Sequence, residues 1–129
     1  MNIYIYMNSY IVNSLLYIYL FIIVLIYPIK AILAGFLTLI NEFIIKNIIK
    51  ENRPNGLPYG MPSSHALCYS ILTVLLIPDN IVLSIISTIL LLITFISKVV
   101  NYEHSIKQYL AGIFFGLFIG TCIYNLCYI

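Results

Sequence analysis

Charge is what this chain has least of. Lysine and arginine number 6, and aspartate and glutamate 4, in 129 residues, while 63% of the residues are hydrophobic. Mean hydropathy is +1.08. That shortage excludes a water-soluble domain of this size and points to one small integral membrane domain over residues 1–129. The formal net charge of +2 is too small to draw nucleic acid, and none is expected as a partner. Cysteine is scarce too. Cys68, Cys122 and Cys127 form no metal-spaced pair, and an odd count argues against a disulfide framework. They read as small buried hydrophobes. The few acids form no Asp-rich metal cage. Residues 1–30 lack a basic n-region and a clear small-residue cleavage site, and read as a retained span rather than a removed leader. Internal repeats and low-complexity linkers are also absent.

What is present is hydrophobic length. A membrane span needs about 20 predominantly apolar residues. Five candidates appear: Tyr10–Tyr27, Ile29–Ile49, a short one at His65–Ile77, Ile81–Ile96 and Tyr109–Tyr128. The expected fold is therefore all-α, a polytopic transmembrane helix bundle of about five spans. "PDN" (Pro78–Asn80) reads as a tight turn. "KENRPNGLPYGMPSS" and "SKVVNYEHSIKQ" read as polar loops. Alternation of the spans puts both loops on one side of the membrane. Lys46, Lys50, Arg53, Lys98 and Lys107 gather there, with both histidines, while Lys30 lies near the opposite face.

The loops carry chemistry-bearing residues. If the helix persists, Lys46 and Arg53 share one face two turns apart, though such cations also snorkel to headgroups. Glu42, one turn before Lys46, reads as its ion-pair partner. Ser63 or Ser64 in "PSSH" is a natural N-cap. The amides behind it suit an anion, and His65 stands in the same first turn. On its own, "PSSH" is equally an ordinary cap with a bystander histidine. On a helix His104 and Gln108 share a face, so the amide can hold one imidazole tautomer. Glu103 is expected to point elsewhere. Together, three cations, a helix N-terminus and two histidines want a phosphate.

Three motifs are similar to those of the type-2 phosphatidic acid phosphatase superfamily. "KNIIKENRP" places Lys46, Arg53 and Pro54 in register with its first motif. "PSSH" (Pro62–His65) matches the second, and "SKVVNYEHSIKQ" places Ser97, Lys98, His104 and Gln108 in register with the third. The likeness covers 44–120, with 1–28 as a divergent N-terminal span. Within the superfamily the motifs most resemble the dolichyldiphosphatase branch. The resemblance implies metal-independent hydrolysis of dolichyl diphosphate to dolichyl phosphate and phosphate, with no cofactor, recycling the lipid carrier of N-glycosylation. It implies His104 as nucleophile, His65 as general acid and Gln108 as the group orienting His104. Lys46, Arg53, Lys98, Ser63 and the backbone of Ser64 would bind the phosphate.

Three positions depart from the superfamily pattern. Ser64 replaces a glycine, Lys98 an arginine, and Gln108 an aspartate. Lys98 offers a point charge in place of a bidentate fork. Restoring the acid, Gln108→Asp, is expected to keep or raise activity. Sidedness has two opposed indicators. Cation-rich loops belong in the cytosol by charge, whereas the resemblance implies the endoplasmic reticulum lumen. The second is preferred, because three of the five cations are candidate site groups. Rival functions are a phosphatase for another polyprenyl or lipid phosphate, a weakly active lipid-phosphate-binding membrane protein, and a phosphatase for soluble esters.

Overall fold

A computed structural model describes residues 3–127. Tyr128, where the fifth expected span ends, lies outside them. Helix α1 (Ile3–Ile26) stops just before Pro28, which opens α2 (Pro28–Ile40) at a position where its missing N–H costs nothing. Without a break α2 passes through one π turn, Asn41–Ile45, into α3 (Lys46–Ile49). Lys50 then adopts a left-handed conformation, φ 55°, and ends the helix.

A loop leads to α4 (Ser64–Leu76), capped by Ser63, whose Oγ accepts from Ala66 N at 3.4 Å. After the turn at 77–80, Asn80 caps α5 (Ile81–Val100) by accepting from Leu83 N at 3.1 Å. Ser105 Oγ accepts from Gln108 N at 3.1 Å and starts α6 (Ile106–Cys127).

The described residues are helical with no strand. Four helices are long and apolar enough to cross a membrane: Ser9–Ile26, Pro28–Ile49, Ile81–Val100 and Ile106–Cys127. The expected third span is not among them. Its 13 residues make a helix roughly 20 Å long, short of a ~30 Å hydrocarbon core.

That short helix is the core of the bundle. Ala66 through Leu72, with Leu75 and Leu76, are all buried. α6 lies against it through Gly112, Gly116 and Gly120. A Cβ on these would stand 2.5 Å from Ser63 O, 2.6 Å from Ser70 Cβ and 3.1 Å from Val74 Cβ. Small residues every fourth position let two backbones touch where no hydrophobic effect drives helices together. On the other side α5 is tied to α4 by hydroxyls. Ser84 Oγ donates to Thr73 O at 2.6 Å and Ser87 Oγ to Tyr69 O at 3.3 Å. Tyr19 of α1 donates to Leu83 O at 2.7 Å. The outer faces are apolar and exposed, as at Ile29, Phe36 and Phe114. Cys68 is buried as expected, but Cys122 and Cys127 are exposed on this outer surface.

The two polar loops meet at one end of the bundle. Asn55 N donates to Tyr102 O at 3.0 Å, and Lys107 Nζ to Glu51 Oε2 at 3.0 Å. Lys30 forms its ion pair with Asp79 at the other end. One boundary differs from expectation. α5 runs on to Val100, so Ser97 and Lys98 are the last turn of a helix rather than the start of a loop.

Candidate functional site

The end of α4 carries His65 in its first turn, and the neighbouring chain brings further polar groups to it. Lys46, Arg53, Ser64, His65, Lys98 and His104 line one cavity of about 460 Å³. They arrive by a different route from the one expected. α3 ends at Ile49, so Lys46 and Arg53 do not share a helical face. Lys46 points in from the helix end. Arg53 comes from the loop, where Gly56 N donates to Arg53 O at 3.0 Å to close a turn around Pro54. His104 precedes α6 and is held by its own backbone, its N–H donating to Lys98 O at 3.2 Å.

Three atoms around this cavity are buried without a hydrogen-bond partner: Arg53 Nε, His65 Nε2 and His104 Nδ1. Each such group costs about 1–3 kcal/mol when left unsatisfied. Burial, reinforced by Arg53, Lys46 and Lys98, pushes the His104 imidazole down to about 4. It is therefore neutral at neutral pH, the form that can act as a nucleophile.

The other cations are not idle. Lys46 Nζ donates to Glu42 Oε2 at 2.6 Å, the pairing expected from sequence, and Ser64 Oγ donates to the same oxygen at 2.6 Å. Asn41, in the π turn and fully buried, donates to Pro62 O at 3.1 Å and to Ser64 Oγ at 2.9 Å. The π turn thus ties the second helix to the start of α4. Lys98, 2% exposed, donates to Glu103 Oε2 at 2.5 Å and to Asn13 Oδ1 at 2.6 Å. Glu103 also accepts from Ser9. Glu103 is not on a helix, contrary to expectation, but it does point elsewhere: it lines a neighbouring cavity with Asn13 and Arg53 rather than the one that holds the histidines. Burial works to raise its carboxyl, but the bonds from Lys98 and Ser9 prevail and hold it below the usual range.

Two candidates are placed off the cavity wall. Ser63 is completely buried, with its N–H on Gln108 O at 3.1 Å and its Oγ used as the cap. Gln108 bonds to the backbone and loop around His104, and its side chain also bonds to the His104 imidazole, which works against the lowering by burial and the nearby cations. Oε1 accepts from Ser105 N at 3.2 Å, while Nε2 donates to Glu51 Oε1 at 3.1 Å and to Asn52 O at 2.9 Å. Gly60 is packed against it: a Cβ there would stand 2.7 Å from Gln108 Oε1. Asn13 and Glu103 were not among the sequence-derived site residues. Asn13 carried a readable signal, a polar side chain inside an apolar span. Among the described residues no three His, Cys, Asp or Glu side chains converge as metal ligands.

A cavity with cations on several sides and unsatisfied ring and guanidinium nitrogens suits an anion with several acceptor oxygens. No family model, curated protein or solved structure matches this chain.

Proposed function

We propose that the chain is an integral membrane phosphatase for a polyprenyl diphosphate, dolichyl diphosphate by resemblance, releasing phosphate through a phosphohistidine. The observation that carries the reading is the convergence of Arg53, His65 and His104, with unsatisfied buried nitrogens, on one cavity beside Lys46. A terminal phosphoryl group supplies acceptor oxygens to Arg53 and His65 and an electrophilic phosphorus to His104.

In this reading neutral His104 attacks the terminal phosphorus, forming an N–P bond as the P–O bond to the lipid monophosphate breaks. His65 gives the leaving oxygen its proton; burial, reinforced by Lys98, holds its imidazole down to about 3 in the free protein, so it must take up that proton as the anionic substrate arrives. Now neutral, His65 takes a proton from a water that attacks the phosphohistidine, releasing phosphate and restoring His104. Arg53 and Lys46 offset charge on the equatorial oxygens. Lys46 must turn from Glu42 toward the phosphate to do so. The endoplasmic reticulum membrane, with the site facing the lumen, is the location this function calls for.

The direct test uses the full chain in detergent with dolichyl diphosphate and records phosphate release. A brief quench should trap acid-labile phosphate on the protein, lost in both His104→Ala and the unreacted control. Phosphate release without any trapped label in His65→Ala, where breakdown is slowed, would sink the covalent route. A second reading has a specific observation behind it. The pairing of Lys98 with Glu103 leaves that cation less available to substrate, as in a weakly active lipid-phosphate-binding protein. That reading expects substrate binding without turnover.

A further inference from the structure

The cavity has an apolar half that phosphate chemistry leaves unused. Away from Lys46 and Glu42 it continues between α1 and α2, walled by Leu16, Tyr17, Leu20, Gly35, Thr38 and Leu39. From Lys46 to Gly35 is about three helical turns, roughly 16 Å, or about half of a ~30 Å hydrocarbon core. Leu16 is 6% exposed and forms a floor, whereas Tyr17 at 70% and Leu39 at 56% form a lip open to the side. Thr38 brings no demand for a polar ligand, because its hydroxyl donates to Ala34 O at 2.7 Å.

Gly35 is the unusual residue of this wall. Gly112, Gly116 and Gly120 are each explained by a backbone or side chain of α4 pressed against them. At Gly35 an added Cβ would meet nothing within 4 Å. A glycine inside a helix costs about 1 kcal/mol relative to alanine, and no neighbour here needs its smallness. What its missing side chain does is widen the seam.

We infer that the seam between α1 and α2 holds the hydrocarbon chain of the lipid whose phosphate lies at the cations, and that Gly35 sets how bulky a chain fits. The occupant follows from continuity. One cavity is cationic at the bundle end, apolar along its length and open sideways, the distribution of a lipid phosphate lying in its membrane. The inference rests on the phosphatase reading and extends it to α1, which lies outside the motif-bearing region.

The test compares two substrates in the same detergent, a long-chain polyprenyl diphosphate and a water-soluble short-chain prenyl diphosphate. Gly35→Phe should lower kcat/KM for the long-chain substrate by about tenfold, the scale of a few lost methylene contacts, and move the short-chain value by less than about twofold. Ile29→Phe, on the same helix but turned about 120° from Gly35 and 80% exposed, should change neither. A thermal melt of Gly35→Phe should match the parent, since the space is open. Equal losses on both substrates, or no loss on either, overturn the seam as the chain's site while leaving the phosphatase reading standing. Hydrolysis of neither substrate by the unaltered chain overturns the phosphatase reading, and the seam assignment with it.

Discussion

Lys98 Nζ lies 2.5 Å from Glu103 Oε2 in a surrounding so closed that the lysine is 2% exposed. Removing one partner of a buried pair strands the other charge, which costs more than the pair is worth. Glu103→Gln keeps the shape and an acceptor but loses the charge. It should lower stability by about 1–3 kcal/mol. Inorganic phosphate should recover part of that loss by supplying the missing anion. Thermal melts with and without phosphate measure both. An unchanged melting temperature would mean that Asn13 alone satisfies Lys98.

Glu42 occupies two groups that a phosphate would want, Lys46 Nζ and Ser64 Oγ, each at 2.6 Å. Glu42→Gln removes the competing charge. KM for the lipid diphosphate should fall about threefold to tenfold, on the order of 1 kcal/mol. Steady-state kinetics decide it, and a rise in KM would mean that Glu42 positions Lys46 rather than competing for it.

Gln108 serves two partners, the His104 imidazole and the 51–52 loop. Its bond to the ring alone favours Gln108→Asp. The structure uses its Nε2 to donate to Asn52 O and to Glu51 Oε1. An aspartate has no N–H to give, is shorter, and brings a second carboxylate to Glu51. Gln108→Asp should therefore cost about 1–3 kcal/mol of stability and slow turnover. Rescue by Glu51→Gln in the same chain would show that charge repulsion at this joint is the cause. A stable and faster Gln108→Asp variant would mean that the bond to the imidazole outweighs those to the loop.

The sequence carried the helical class, the turn at 77–80, the Ser63 cap, the Glu42–Lys46 pair and the common end of the two polar loops. Those rest on hydropathy, capping and i,i+4 spacing, which are local. What was not legible depends on where helices end. The spacing in "KNIIKENRP" puts Lys46 and Arg53 on one face, because nothing in those letters announces that Lys50 turns left-handed. The setting of Glu103 is not legible either, because it depends on a helix that starts only at Ile106. Asn13 reaches Lys98 across 85 positions, a contact no local pattern encodes. The stripe Gly112, Gly116, Gly120 was visible in the letters, but its partner, the short α4, was not.

Gly112 and Gly35 should respond oppositely to alanine. At Gly112 the new Cβ would stand 2.5 Å from Ser63 O, a backbone atom that cannot swing aside. Gly112→Ala should cost about 1–3 kcal/mol and move α4 enough to slow turnover. Gly35→Ala, with open space and better helix propensity, should be neutral or stabilising by up to about 1 kcal/mol. Melting temperatures of the pair test the assignment of tight and open glycines.

His104 gives a pH dependence of known sign. Its folded value of about 4 lies below the ordinary 6.5, so the unfolded chain holds the proton more tightly. This group's contribution to stability is complete above about 6.5 and is lost as pH falls from there toward 4. The parent should melt at lower temperature at pH 5 than at pH 7, by the ordinary value of a histidine titrating between them, and His104→Gln should lose less. If His104 is the nucleophile, the acid limb of kcat/KM should likewise lie near 4, well below 6.5. A limb at 6.5 would mean that the free enzyme leaves this imidazole in water.

The shortness of α4 has a consequence for traffic. α4 and α5 leave the turn at 77–80 together, and hydroxyl contacts keep them level along their length. α5 continues for 20 residues and α4 for 13. His65 is therefore at the foot of a well, roughly two turns beneath the top of its neighbour, with the 50–63 loop as parapet. A small polar molecule that reaches His65 from the loop end of the bundle would therefore have to descend past the last two turns of α5.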